Sequence, residues 1–167
     1  MLFSASEADI QEVGRLLNRG GVVAVPTETV YGLAADALNP EACQAIFAIK
    51  GRPLEDPLIC HIWDVSAAEN LAVFSEAAYR LAAAFWPGPL TLVLPKKPLV
   101  PDLITAGLPC VALRCPAPPV MRKVLQAAGC PLAAPSANPF GYVSPTTAQH
   151  VADCFGSAVP ILDAGPC

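Results

Sequence analysis

Apolar positions recur along this chain in two periods. Behind Ser6-Glu-Ala-Asp9, a helix-start pattern, Ile10, Val13, Leu16 and Leu17 follow at helical spacing until Gly20-Gly21 closes the run. Asn39-Pro40 is a cap followed by proline at the first helical position. Ala42, Ala45, Ile46 and Ile49 then mark one face of a helix that ends near Lys50-Gly51. Residues 75–85, 118–128 and 146–154 read as three more helices, the second with Gly129 at its C-cap. Short apolar runs at 22–25, 58–62, 90–94, 110–113, 131–134 and 159–162 read as strands. Strands and helices that mingle in this way predict an α/β (α+β) fold with helices covering a sheet. Long irregular pieces within 90–114 and 138–146 speak against regular βαβ repetition. The expectation is a twisted sheet of mixed parallel and antiparallel strands.

Composition narrows the class. In 167 residues, 54% are hydrophobic and 14% charged, too apolar a balance for a disordered chain. The most charge-poor stretches, 81–95 and 124–152, are broken by prolines and polar residues, and neither offers the roughly 20 continuous apolar residues of a membrane span. The first ten residues carry Glu7 and Asp9 and no basic start, so they do not read as a secretory signal. Seven cysteines include no C-x-x-C pair, and they read as small buried hydrophobes in a reducing compartment rather than as metal ligands. A cytoplasmic protein is expected, with no membrane contact and no protein-bound metal. The net charge of −4 disfavours tight, direct RNA binding over the whole surface.

The notable polar residues cluster after apolar runs, in loops marked by proline and glycine, where scaffolds place binding groups. They are Thr27, Glu28, Thr29 and Tyr31; Lys50 and Arg52; His61; Arg114; and Ser136 and Asn138. Lys50-Gly-Arg52 suits a polyphosphate, with Lys as a point charge, Arg as a planar fork, and the glycine admitting close backbone approach. The same pair equally suits a solvated helix end, where cations complement the negative dipole. Ser136-Ala-Asn138 offers small groups to a phosphate or ribose, or else a turn or cap. His61 fits a half-buried structural histidine as well as a ligand. Arg114, directly after an apolar run, calls for an anion, from substrate or from an internal ion pair. The common phosphate loops and the hydrolase and metalloprotease motifs are all missing.

The motifs taken in order carry a resemblance. Residues 26–33 (PTETVYGL), 49–54 (IKGRPL), 57–62 (PLICHI), 86–92 (WPGPLTL), 113–116 (LRCP), 134–138 (APSAN), 144–146 (SPT) and 163–167 (DAGPC) span nearly the whole chain. Together they are similar to the YrdC-like family of L-threonylcarbamoyladenylate synthases. The resemblance implies a twisted mixed sheet with a deep concave site. It also implies condensation of L-threonine, bicarbonate or CO2, and ATP into threonylcarbamoyl-AMP, with release of pyrophosphate. That product serves tRNA N6-threonylcarbamoyladenosine formation by a downstream threonylcarbamoyl transferase complex, so contact with tRNA is weak or indirect. By the same resemblance Lys50, Arg52, Ser136 and Asn138 are the catalytic set. Those four with Asp56, Cys110 and Ser144 meet ATP, and Thr29, His61, Arg114 and Ala134 meet threonine. Mg²⁺ is carried by the phosphates of ATP.

This chain departs from the family pattern at Asp56, where asparagine is frequent, at Cys110, where threonine is usual, and at Ala164, where glycine is usual. Residues 1–167 read as one YrdC-like domain without the family's C-terminal G-x-x-S-T-V segment, which helps close the threonine site. Two other functions share the fold: a non-catalytic nucleotide- or RNA-binding module, and the carbamoyl-adenylate-forming domain of hydrogenase-maturation proteins.

Overall fold

A single eight-stranded sheet runs through residues 1–167 of the computed structural model. Its strands are β1 (Leu2–Ser4), β2 (Val23–Pro26), β3 (Tyr31–Asp36), β4 (Ile59–His61), β5 (Thr91–Pro95), β6 (Cys110–Arg114), β7 (Leu132–Ala133) and β8 (Ile161–Asp163). They lie in the order β1-β8-β2-β3-β7-β4-β6-β5. The pairs β1–β8, β2–β8 and β4–β6 are parallel and the others antiparallel, so the sheet is mixed as expected. The helices are α1 (Glu7–Asn18), α2 (Pro40–Lys50), α3 (Val65–Leu71), α4 (Glu76–Phe85), α5 (Asp102–Thr105), α6 (Pro119–Ala128) and α7 (Ala148–Phe155). No helix is long and apolar enough to cross a membrane.

Alternation along each strand divides the interior into two cores. Val23 and Val25 of β2 pack with Ile10, Val13 and Leu17 of α1 and with Met121, Val124 and Leu125 of α6. Ala24 between them faces the other way, into a core built on Ile46 and Phe47 of α2, Leu71 of α3 and Ala82 of α4. α1 and α6 approach closely because Gly14 has no side chain: a Cβ there would lie 2.6 Å from Ala127.

The helix starts follow their caps. The side chains of Ser6, Asn39 and Ser75 accept hydrogen bonds from the first-turn N–H groups of α1, α2 and α4. Four elements lie outside the sequence reading. β1 is three residues long, α3 and α5 are short, and β3 runs Tyr-Gly-Leu-Ala-Ala-Asp with little β-propensity of its own. β3 forms because it lies buried between β2 and β7, where every residue from Tyr31 to Ala35 is inaccessible.

Candidate functional site

α1 and α6 cover β2, β3 and β8 but leave one face of β4, β6 and β5 without a helix. The residues on that face follow from register. Along β6 they are Cys110, Ala112 and Arg114, all partly exposed, while Val111 and Leu113 point into the core between the sheet and α2. Across the sheet, Ala112 lies between Ile59 of β4 and Val93 of β5, and Val93 is 63% exposed. Ala134, just past β7, continues that row through a hydrogen bond to Ile59 O. His61 and Thr91 flank Arg114 in the row at one end, and Pro95 flanks Cys110 at the other. Small side chains thus form a floor whose two ends, Cys110 and Arg114, are about 13 Å apart at roughly 3.3 Å per residue.

At the Arg114 end, polar groups converge from three segments. Arg114 Nε donates to Thr91 Oγ1 at 2.9 Å, and Nη1 lies 3.9 Å from Glu28 Oε2. Glu28 comes from the β2–β3 turn, and its Oε1 accepts from Ala117 N–H at 3.1 Å, which pins that turn to the segment after β6. Thr27 holds the turn from within: its hydroxyl donates to Val30 O at 2.6 Å and accepts from Thr29 N–H at 3.3 Å. Thr29 at the tip is exposed. His61 is only 3% exposed, and burial first, then the Arg114 charge, push its pKa down from 6.5 to about 4. It is therefore neutral at pH 7, and its Nδ1 is buried without a hydrogen-bond partner.

The second group gathers where α2 ends. Gly51 holds the left-handed C-cap of α2 at φ 60°, where the sequence ends the helix, and the space beside it is open. Lys50 is 3% exposed, and its ammonium donates to Ser136 O at 2.5 Å and Asn138 O at 2.6 Å. Burial, and then the Arg52 charge, lower its pKa to about 8. Lys50 therefore clamps the 136–138 segment, and Phe140 N–H returns a bond to Lys50 O at 2.8 Å. Arg52 donates to Asp56 O and Pro57 O, lies 3.9 Å from the Asp56 carboxylate, and stacks 6.0 Å from the Phe140 ring. Asn138 spends its amide N–H groups on Pro139 O and Tyr142 O, leaving Oδ1 buried and unpartnered.

β3 joins the two groups. Gly32 bridges to Ser136, and a Cβ on Gly32 would come within 3.2 Å of Ala134 and 3.4 Å of Thr27. Tyr31 N–H donates to Pro145 O, and its hydroxyl donates to Gly165 O at 2.7 Å. Of the predicted residues, Ser144 stands apart: it is exposed and lines a cavity of about 290 Å³ with Val143, Pro145, His150, Asp153 and Cys154. The remaining predicted residues line none of the four cavities. No group of three or more His, Cys, Asp or Glu side chains is placed to hold a metal ion.

Sequence reasoning left out three contributors: Glu28 as a site residue, Thr91 and Phe140. Glu28 carried a signal, as the one acid within residues 26–33. Thr91 and Phe140 carried none, since register and loop path alone bring them in.

Only three buried side-chain polar atoms in the molecule lack a hydrogen-bond partner, Glu28 Oε2, His61 Nδ1 and Asn138 Oδ1. Buried polar groups are normally satisfied, and all three border the open floor or the Lys50 clamp. Two cations, Arg52 and Arg114, and these unpartnered polar atoms thus border one exposed strip of the sheet. The family model Sua5/YciO/YrdC, described as "Telomere recombination", matches residues 15–167, and the chain belongs to that family.

The chain is 49% identical over 161 residues to the threonylcarbamoyl-AMP synthase of Pyrococcus abyssi, covering 95% of this chain and 47% of that protein. It is 47% identical over 166 residues to the threonylcarbamoyl-AMP synthase of Bacillus subtilis, covering 98% and 48%. The crystal structure of P. abyssi Sua5 complexed with L-threonine matches at TM-score 0.97 and 45% identity, covering 99% of this chain and 51% of that one. The chain thus spans about half the length of these relatives.

Proposed function

We propose that this chain is an L-threonylcarbamoyladenylate synthase. The observation that carries the reading is the confinement of every unpartnered buried side-chain polar atom to the two polar groups at the sheet floor. Support comes from the two relatives that bear this activity in their names and from the threonine complex of P. abyssi Sua5.

In this reading the amino acid lies at the Arg114 end. Its carboxylate pairs with Arg114, and Thr29 or neutral His61 reads its hydroxyl, with Ala134 on the floor beside it. ATP lies at the other end, over Cys110, with its phosphates toward Arg52, Ser136, Asn138 and the remaining Lys50 donor, and with Ser144 further along. Mg²⁺ enters with the triphosphate and supplies charge neutralisation there. The Asp56 carboxylate competes with phosphate for Arg52. Carboxylation of threonine's amine by bicarbonate or CO2 gives a carbamate, one oxygen of which attacks the α-phosphate and expels pyrophosphate. No protein nucleophile is required, so the chain contributes placement and charge.

Lys50 acts mainly by fixing the 136–138 segment against α2. The product is passed to a transferase that modifies tRNA in the cytoplasm, and the acidic balance of this chain leaves it little direct hold on RNA.

Pyrophosphate release in the presence of ATP and bicarbonate tests the proposal. Release should require threonine and fall sharply with valine, which lacks the hydroxyl. A site built to hydrogen-bond a substrate hydroxyl discriminates by roughly 10⁴-fold. Release that is equal with and without threonine would overturn the reading.

A further inference from the structure

The Glu28 carboxylate is held from one side only. Its Oε1 is committed to Ala117 N–H, while Oε2 is buried without a partner. The nearest cation, Arg114 Nη1, is 3.9 Å from Oε2, too far for a hydrogen bond. Arg114 in turn gives a protein hydrogen bond only from Nε, to Thr91. Both side chains are largely buried, at 12% and 18% exposed. An anion and a cation therefore stand side by side at the edge of the open floor, each with unused bonding capacity. An α-amino acid presents the complementary arrangement, an ammonium and a carboxylate on one carbon.

We propose that Glu28 binds substrate directly: Oε2 accepts a hydrogen bond from the amine of the amino acid whose carboxylate pairs with Arg114, and so orients the nitrogen that becomes carboxylated. This deepens the synthase reading and rests on it. It makes Glu28 the element that selects an α-amino acid over a 2-hydroxy acid of the same shape. The competing role is mechanical, in which Glu28 only pins the 27–30 turn to Ala117. Glu28→Gln separates the two, because glutamine keeps an acceptor for Ala117 N–H and loses the charge.

The experiment measures binding of L-threonine and of 2,3-dihydroxybutanoate, in which a hydroxyl replaces the amine, by titration calorimetry. The wild-type protein should prefer threonine by roughly 10- to 100-fold, the size of one charge-assisted hydrogen bond. E28Q should compress that preference to within about threefold, the scale of a neutral hydrogen bond, with ATP affinity unchanged. An undiminished preference in E28Q, or equal wild-type affinity for the two ligands, overturns the Glu28 inference and leaves the synthase reading standing. Absence of any threonine binding by the wild type overturns both. Should E28Q fail to fold, Glu28→Asp decides, since it keeps the charge and withdraws it by one methylene: a reduced preference supports the inference and an unchanged one overturns it.

Discussion

Lowering the pH should destabilise this protein through His61 in a window that can be calculated. His61 sits beside Arg114 in register and is almost fully buried. Burial is the larger cause and the Arg114 charge the second, and together they bring its pKa from 6.5 to about 4. Between those values the unfolded chain takes up a proton that the folded chain refuses. Stability from this group is therefore complete above 6.5 and is lost as pH falls toward 4. At about 1.4 kcal/mol per pH unit, the window from 6.5 to about 4 is worth about 3 kcal/mol. Urea unfolding of wild type and His61→Asn across pH 4 to 7 measures it as the change in their stability difference. The wild type should lose about 3 kcal/mol more than the variant over that range. Parallel curves would refute the burial and charge argument, because the other titrating groups are common to both proteins.

Lys50→Met removes two charge-assisted bonds to Ser136 O and Asn138 O. At about 1.5 kcal/mol or more each it should cost about 3 kcal/mol, a fall in Tm of about 6–12 °C for a chain of this size, read by calorimetry. Arg114→Met should weaken threonine binding roughly 10- to 100-fold by loss of the carboxylate partner while leaving ATP affinity within about twofold, both measured by titration calorimetry. Gly14→Ala forces α1 from α6. Overpacking at about 1–3 kcal/mol should outweigh the roughly 1 kcal/mol that alanine gains over glycine in a helix, so thermal melts should show a lower Tm. Asp56→Asn frees Arg52 of a neighbouring carboxylate and should tighten ATP binding several-fold, on the order of one exposed ion pair, in a nucleotide titration.

Capped, strongly periodic elements were the legible part of this sequence. α1, α2, α4 and α6 announce themselves through Ser6, Asn39-Pro40, Ser75 and Gly129 and through their apolar stripes. β3 was hidden because the turn before it, Thr27–Val30, uses a threonine hydroxyl in place of the Gly or Asn that marks most tight hairpins. Its residues are small because neighbouring chain passes close by, as at Gly32 against Ala134. The site residues were visible as a set of motifs, and the mixed sheet gathers most of them into two hydrogen-bonded groups bordering one face. The clamping role of Lys50 was not visible, since it depends on how the 136–138 loop returns across the end of α2. Likewise nothing in the sequence signalled that Glu28 would be buried with half its carboxylate unpaired.

The proposed synthase activity requires that a nucleotide and an amino acid share the open floor of β4, β6 and β5 with their reacting ends toward each other. A crystal structure grown with threonine, bicarbonate and ATP examines it directly. Bound ligand should lie along that face, with the amino-acid carboxylate on Arg114 and the adenylate phosphate near Arg52 and Ser136. Density for either ligand on the opposite face of the sheet, which α2, α3 and α4 cover, or threonine and nucleotide at separate surfaces, would contradict that placement.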